Sequence, residues 1–353
     1  AERLSRARSL AGLTLEAVKD RTGIAVSTLS DFEQGKREPR FAQLAKLAEA
    51  YYKSIYYFLD DEPVLESVVL WRDKPVAGRG EAEARFRELC EQYHRLEVIN
   101  GIVRESRLQK FPASVGELSR ENIRMLAEQV REQLGLGKRP GQEFSRVIEE
   151  YAAVKVFCMH IPEGGSAACS WGEFGPAVLL NGGEVSWRRN FSLAHELFHL
   201  CAWDLQPRSG DTLTVATRNE ERCADWFAAD LLMPPDSVKE SIRDKLVGDK
   251  LPRERLFDVA REFGVSHKAL WIQLRGLYNI SDDLFRDIDQ WLESNRHLAY
   301  PRDSDVRPTG VLLPERYIAL AKHAVSDGKI SASAFAKYLG ISRHAASDRK
   351  SVV

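Results

Sequence analysis

Residues 189–203 read RNFSLAHELFHLCAW, and this stretch predicts a helix that can bind a metal ion. On a helix, residues four apart are rotated by roughly 40° from each other, so His195 and His199 project from one face. Two imidazoles placed in this way can both reach one tetrahedral Zn²⁺ ion. Glu196 lies beside them, where it can take a proton from a water at the ion's open position and pass it to a leaving amine. The alternative interpretation is an amphipathic helix whose histidines only pack.

A catalytic zinc ion needs a third protein ligand, and a second helix predicted over 219–232 can supply it. Glu221 and Asp225 are four residues apart and share a face, which suits one carboxylate that binds zinc and another that orients a ligand histidine. Glu220 is the neighbouring alternative, but an alanine stands four residues after it and cannot orient a ligand. Cys223 could also bind zinc, although it points to a nearly opposite face from Glu221, which favours a packed thiol.

Strand-like runs precede these two helices, at 153–160, 167–171 and 177–181, with glycine-rich turns between them. Another helix is predicted before the strands, at 144–151. The first metal-site helix is expected over 191–201. Together these elements predict a small mixed or antiparallel sheet beside the HExxH helix.

The rest of the chain divides into segments of different character. A strand-like run at 68–71 lies in an acidic, proline-containing linker, and a helical pattern covers 80–134. Further helices are predicted around the turns at Gly264 and Gly340. The fold class predicted is α+β and mostly helical. The predicted division is a helix-turn-helix domain at 1–60, a linker at 61–80, a helical connector at 81–140, the unit with the metal residues at 141–280 and a helical C-terminal region at 281–353.

The amino-terminal 59 residues predict five short helices in a helix-turn-helix arrangement. The first helix is expected to end at Gly12, Thr14 to cap the second, and Gly23 to provide the turn before a third helix that begins at Ser27. In this arrangement the N-terminal end of the third helix enters the major groove of DNA. Nine apolar residues suffice for a small core: Leu15, Val18, Ile24, Leu29, Phe32, Leu44, Leu47, Ile55 and Phe58.

Seven polar residues in and after the third helix are the predicted DNA contacts. Residues 1–59 hold ten Lys/Arg against seven Asp/Glu, a net charge of +3 that is compatible with DNA binding. The alternative is a helical bundle that has lost DNA binding and docks a protein. The predicted contacts are Ser27, Thr28, Ser30 and Asp31, exposed for base edges or phosphates, and Lys36, Arg37 and Arg40, for phosphates.

The composition of the whole chain limits the classes of function. A formal net charge of −1 over 353 residues excludes attraction of nucleic acid by the whole surface, so any DNA-binding surface is local. No apolar run is long enough for a membrane span, and no signal segment is recognisable at the start. Five cysteines without a CxxC pair favour a reducing compartment. These features predict a cytoplasmic protein with buried thiols and no membrane partner.

Two known families resemble this sequence. GIAVSTLSDFEQGKREP at 23–39, with the remainder of residues 1–59, resembles the XRE family of phage-repressor and Cro-like proteins, which implies a double-stranded DNA operator as partner. Glu16 departs from that family, since many members place a DNA-contacting glutamine there and an acid would repel phosphate. RNFSLAHELFH followed by EERCADWFAADLLMP resembles the ImmA/IrrE family of metallopeptidases, whose fold is similar to that of gluzincins.

The second resemblance implies a zinc site with a role for each of five residues. His195, His199 and Glu221 would be the Zn²⁺ ligands, and Glu196 would be the catalytic base. Asp225 would lie behind the ligands and orient one of them.

The same resemblance implies that the strand ending at Asn181 is the sheet edge to which an extended substrate peptide adds. Members of the family typically cut a partner transcriptional repressor in response to stress or DNA damage. His160 and His267 are candidates for stabilising the tetrahedral oxyanion by residue type only, and each is more typical of a structural histidine.

Three functions fit these features. The first is a DNA-binding transcriptional regulator, expected to be a homodimer, whose zinc-dependent endopeptidase domain cleaves a partner repressor or antitoxin in a stress response. The second is an antitoxin or repressor in which the zinc fold is structural or ligand-sensing; the intact Glu196 counts against it, since a structural zinc ion needs no base. The third, an acyl-CoA-responsive transcription factor, would have a degenerate metal motif. Mn²⁺ or Fe²⁺ could also occupy the ligand set.

Overall fold

The computed structural model describes residues 1–59, 67–73, 75–111, 119–161, 164–205, 216–248, 250–298 and 311–342. Within these residues the chain forms sixteen α-helices and one four-stranded sheet, so the prediction of a mostly helical α+β fold is confirmed. None of the helices in this part of the chain is long and apolar enough to cross a membrane.

The amino-terminal unit is a bundle of five short helices. The Thr14 hydroxyl accepts a hydrogen bond from the backbone N–H of Ala17, and Gly23 has a φ of 72°, which confirms the predicted cap and turn. The first helix ends two residues before Gly12, and the third begins one residue before Ser27. The nine predicted core residues are buried or packed against the core. The helices are α1 (Glu2–Leu10), α2 (Leu15–Thr22), α3 (Val26–Glu33), α4 (Phe41–Ala50) and α5 (Tyr56–Leu59).

The sheet has the spatial order β1-β3-β4-β2, with β1 at Val69–Trp71, β2 at Lys155–Met159, β3 at Ala167–Gly172 and β4 at Gly175–Asn181. β4 pairs with β3 in antiparallel and with β2 in parallel orientation, so the sheet is mixed.

The expectation that the strand ending at Asn181 forms a sheet edge is therefore wrong. Leu180 in this strand lies opposite Ala167 on one side and opposite Cys158 on the other. Because neighbouring strands use the hydrogen-bonding groups on both sides of β4, it cannot accept a further peptide strand.

Helices surround the sheet. The pattern predicted to be helical over 80–134 is interrupted, because Gly101, with a φ of 70°, ends one helix and residues 102–111 are not helical. The HExxH helix begins at Ser186, five residues before its predicted start. The remaining helices are α6 (Arg79–Asn100), α7 (Arg120–Gln133), α8 (Phe144–Ala152), α9 (Ser186–Cys201), α10 (Arg218–Leu232), α11 (Pro235–Arg243), α12 (Arg255–Phe263), α13 (His267–Tyr278), α14 (Asp282–Ser294), α15 (Glu315–Ser326) and α16 (Ala332–Leu339).

The sheet separates two apolar cores because successive side chains of a strand point to opposite faces. Leu70 and Cys169 point into the core that also contains apolar residues of α9, α10, α12 and α13. Val69, Trp71 and Leu179 point into the core that contains apolar residues of α6, α15 and α16. α15 and α16 thus cover the face of the sheet opposite the HExxH helix, together with α6.

The amino-terminal unit rests on α6. Gly80 approaches so closely that a Cβ atom on it would lie 2.9 Å from the backbone nitrogen of Gly12. Beside this contact, Arg21 and Tyr52 both donate hydrogen bonds to the carboxylate of Glu81, at 2.8 and 2.7 Å. Backbone contact and a shared carboxylate therefore attach the helix-turn-helix unit directly to the sheet-bearing body.

Candidate metal centre and DNA-binding surface

The HExxH residues lie on α9 with their side chains inside the protein. His195 and Glu196 have no exposed surface, and His199 is 1% exposed. Leu193 and Leu197 on the same helix are buried in the larger core, which anchors α9 beneath the sheet. This anchoring leaves the two histidines, one turn apart, directed at α10.

Glu221 on α10 faces both histidines. Its Oε2 lies 3.1 Å from Nε2 of His195, and its Oε1 lies 3.5 Å from Nε2 of His199. The two Nε2 atoms are 3.3 Å apart, and one donor atom from each of the three residues lies within 4.8 Å of the others. The structure thus brings together the three residues expected to be metal ligands.

Asp225, one turn further along α10, contacts the other ring nitrogen of His195. Its Oδ1 lies 2.9 Å from Nδ1, so a proton on Nδ1 would be donated to the carboxylate and Nε2 would keep its lone pair for a metal. His199 differs, because its Nδ1 is buried without a hydrogen-bond partner among the described residues. A carboxylate orients one histidine of the pair, whereas packing holds the other.

Burial and neighbouring charges shift the pKa values in this cluster. Burial acts to raise the pKa of Glu221, but hydrogen bonds with His195 and His199 lower it to about 2. Burial acts to lower the pKa of His195, but its bonds with Asp225 and Glu221 raise that pKa above the ordinary value. Burial raises the pKa of Glu196, against the attraction of the two histidines. Glu221 is therefore an anion, while Glu196 is suited to holding a proton.

These residues fit a divalent transition-metal ion. Two imidazole nitrogens and one carboxylate are a ligand set that leaves a position for water or substrate. Within the described part of the chain, both carboxylate oxygens of Glu196 are buried with no stronger hydrogen-bond donor than the Cys169 thiol acting on them. Such oxygens are costly to bury unless another group satisfies them, and an ion with a water would do so.

The other candidate ligands are engaged elsewhere. Glu220 accepts a hydrogen bond from the backbone N–H of Thr217 at 2.7 Å and so caps the start of α10. Cys223 is buried in the larger core, and all five cysteines are buried free thiols, as predicted. The ring of His267 packs edge-on against a phenylalanine, and His160 is exposed. Neither histidine belongs to the three-residue cluster.

Arg72, directly after β1, belongs to this site although the sequence gives no sign of it. Its guanidinium donates to Oγ of Ser192 at 3.2 Å and to Oδ1 of Asp225 at 3.4 Å. The guanidinium also lies over the ring of Phe191. The same Asp225 oxygen contacts His195, so Arg72 donates a hydrogen bond to the carboxylate that orients one of the candidate ligands.

The predicted base-contacting residues lie on α3 and differ in exposure. Ser27 is exposed, as predicted, but Thr28, Ser30 and Asp31 are half-buried. The Oγ of Ser30 also accepts a hydrogen bond from Nε2 of Gln34 at 2.9 Å. Behind them, α3 is held against α1 by the ion pair of Arg8 with Glu33. Ser27, at the start of the helix, is thus the most accessible of the four.

The predicted phosphate contacts lie after α3. Lys36, Arg37 and Arg40 are all exposed, in the turn and at the start of α4. Glu16 is also exposed, in the first turn of α2. The structure therefore leaves the three cations and the acidic Glu16 available to an approaching duplex.

Two known families match the chain. Residues 4–58 match the helix-turn-helix family, and residues 149–275 match the family of the IrrE N-terminal-like domain. The first match spans the five-helix bundle, and the second includes the cluster of His195, His199 and Glu221. Neither a curated protein nor a solved structure gives a match. Both resemblances drawn from the motifs are thereby confirmed.

Proposed function

We propose that this chain, a fusion of an XRE-type helix-turn-helix with an IrrE/ImmA-like peptidase domain, is a DNA-binding regulator with zinc-dependent endopeptidase activity. The observation that carries the proposal is the cluster of His195, His199 and Glu221 beside the buried carboxylate of Glu196. A structural zinc site is closed by four protein ligands and needs no base. Three donors beside a buried acid support hydrolysis instead.

Each residue of the cluster has a task in this proposal. His195, His199 and Glu221 would hold the ion, which when bound makes a water more acidic and polarises the carbonyl under attack. Glu196 would accept the proton of the attacking water and donate it to the leaving amine, for which its raised pKa is suitable. Asp225 would keep the proton of His195 on Nδ1 and thus leave Nε2 free to bind.

The helix-turn-helix would place α3 in the major groove of an operator, with Ser27 foremost and Lys36, Arg37 and Arg40 on phosphates. Such units commonly bind two half-sites as dimers, and a homodimer is proposed here as well. Because the peptidase is attached to an operator-binding unit, its proposed substrate is a regulatory protein, either a repressor or an antitoxin, cleaved in a stress response.

The test is the substitution Glu196→Gln, which keeps the shape of the side chain and removes its basicity. Zinc content, measured by elemental analysis, should stay at the wild-type level, because Glu196 is not among the three clustered donors. Cleavage of a purified repressor or antitoxin that the wild-type chain cuts, followed by mass spectrometry, should fall by at least about 100-fold. Glu240→Gln, at an exposed ion pair with Lys138, is the matched control and should cleave normally.

Two results would contradict the proposal. Undiminished cleavage by the Glu196→Gln protein would remove the assigned base. A zinc-loaded wild-type chain that binds operator but cleaves no partner would favour the alternative, an antitoxin or repressor whose metal site is structural or ligand-sensing.

A further inference from the structure

A cleft of about 600 Å³ opens beside the metal centre, between α9, α10 and α13. It shares Arg72 and Asp225 with the site described above, so the cleft adjoins the carboxylate that contacts His195. Its lining includes five basic side chains and, among the same residues, Asp225 as the single acid. The five are Arg72, Arg120, Arg188, Arg222 and Lys268.

Neighbouring carboxylates neutralise only part of this charge. Arg120 forms an ion pair with the buried Asp230, and Arg188 pairs with Glu184 at 2.9 Å. Arg72 forms an ion pair with Asp225, beside His195.

The other two cations of the cleft keep most of their charge available. Arg222 is exposed and donates to the amide oxygen of Asn219 at 2.6 Å, and no carboxylate of the described residues lies within ion-pair distance of it. Lys268 is exposed and lies 4.0 Å from Asp289. These two cations would gain the most from an anionic ligand.

Aromatic rings hold the guanidinium groups in place. Arg120 and Arg222 lie over the ring of Trp226, at 5.6 and 5.0 Å from its centre, and Arg72 lies 5.4 Å from the centre of Phe191. A stacked guanidinium keeps its N–H groups at its edge, where they can donate to a carboxylate in pairs. Because these three guanidinium groups are already stacked, less entropy is lost when an anion binds to them.

We infer that this cleft binds an acidic segment of the protein substrate and so selects which peptide is presented to the metal centre. The inference rests on the proposed function, because it takes the occupant of the cleft to be the chain that is cut. Arg222 and Lys268 would each meet an Asp or Glu side chain, while exposed Ile272, 55% accessible, would contact an apolar residue between them. A mixed acidic and apolar peptide matches this lining better than a uniformly charged nucleic acid does, because the cations alternate with apolar surface.

The inference is tested by binding alone, with the full chain carrying zinc and the Glu196→Gln substitution. The probe is a fluorescent peptide in which Asp alternates with Leu, and its reference is the same peptide with Asn in place of Asp. We expect the acidic peptide to bind at least tenfold more tightly and to weaken as NaCl rises from about 0.05 to about 0.5 M. Arg222→Gln and Lys268→Gln should each raise its Kd by about fivefold. Arg146→Gln, an exposed arginine on α8 that does not line the cleft, is the control and should leave Kd unchanged.

Three outcomes would overturn the inference. One is equal binding of the Asp and Asn peptides, and another is an equal loss of affinity with the control variant. The third is a single-stranded oligonucleotide that binds more tightly than the acidic peptide and loses affinity on Arg222→Gln, because the cleft would then be a nucleic-acid site. Since no cleavage is measured, failure here is distinguishable from failure of the proposed peptidase activity, which the cleavage assay reports.

Discussion

The metal centre and the surface of α3 present their functional groups in opposite ways. His195, Glu196 and His199 are at most 1% exposed, and carboxylates of α10 contact both histidines. Ser27 and Arg37, in contrast, project into solvent. A buried, hydrogen-bonded group has its geometry before the ligand arrives, whereas an exposed side chain becomes ordered only on binding. The metal centre is therefore preorganised, whereas the DNA-binding surface is not.

The two regions also differ in what their cores contain. Among the described residues 1–59, Thr22 and Lys53 are the buried polar side chains, and the other buried polar and charged groups lie beyond residue 80. Buried charges give a protein its pH dependence and its strong coupling to ions. Changes of metal or pH are therefore expected to act on the sheet-bearing body and to leave the helix-turn-helix folded.

Glu221→Ala should have the largest effect, because it should remove metal binding and leave DNA binding unchanged. Losing one of three clustered donors should abolish metal retention during dialysis against a chelator, as measured by elemental analysis. Affinity for a DNA fragment selected from a random pool, measured by anisotropy, should not change. A joint loss of metal and DNA binding would show instead that the two regions form one cooperative unit.

Asp225→Asn should have the next largest effect. It keeps a group beside Nδ1 of His195 but removes the charge that orients and polarises the ring, so zinc affinity in a competition titration should fall by about 10- to 100-fold. Nδ1 of His199 has no such carboxylate partner among the described residues, so His199 cannot compensate for the weakened orientation of His195. An unchanged zinc affinity would mean that packing alone orients both histidines.

Glu149→Gln should change the pH dependence of the free energy of unfolding. Burial raises the pKa of Glu149 to about 7, although Tyr93 donates a hydrogen bond to it at 2.9 Å. The raised pKa means that the folded protein holds this proton more tightly than the unfolded chain. The resulting stability is present below about pH 4.5 and is lost as pH rises through about 7. At pH 8 the substitution should raise the free energy of unfolding by about 2 kcal/mol.

That gain should vanish near pH 4.5, as followed by urea unfolding at both pH values. Glu150→Gln, on the neighbouring exposed position, is the control and should show no such pH dependence. An equal gain in the free energy of unfolding for both variants would mean that the loss of surface charge, and not the burial of Glu149, causes the stabilisation.

The smallest effect is expected on the DNA-binding surface. Arg37→Gln removes one exposed cation, so affinity for DNA should fall by about fivefold at low salt, equally for different sequences, and the salt slope of binding should decrease by about one. Zinc content should not change. A selective loss for one sequence would show that Arg37 contacts a base edge instead.

The cluster of metal donors was predictable because it depends on local spacing. His195 and His199 share a helix face, as do Glu221 and Asp225, and helical periodicity alone places each pair. The order of strands is not local, and for that reason the expected edge at Asn181 was wrong. Arg72 contacts Asp225, 153 positions later in the chain, because β1 pairs with β3. No sequence motif predicts that pairing.

The DNA-contacting surface was predictable in its location and less so in its detail. The glycine turn and the Thr14 cap fixed the helices, but the degree to which Thr28, Ser30 and Asp31 are covered depends on how α3 packs against its neighbours. The basic cleft has a similar origin, since its five cations come from five separate segments that only the fold brings together.

The close approach of Gly80 to Gly12 has a consequence for any dimer on DNA. Since the two backbones touch without side chains between them, the helix-turn-helix unit and the proposed peptidase domain would move as one rigid unit. Half-sites recognised by paired helix-turn-helix units lie about 34–36 Å apart along the duplex. The spacing of the half-sites would then set the distance and the relative rotation of the two metal centres in the dimer. A change of half-site spacing by a few base pairs would rotate the metal centres around the DNA axis. Each metal centre would then reach a different protein bound to the neighbouring DNA.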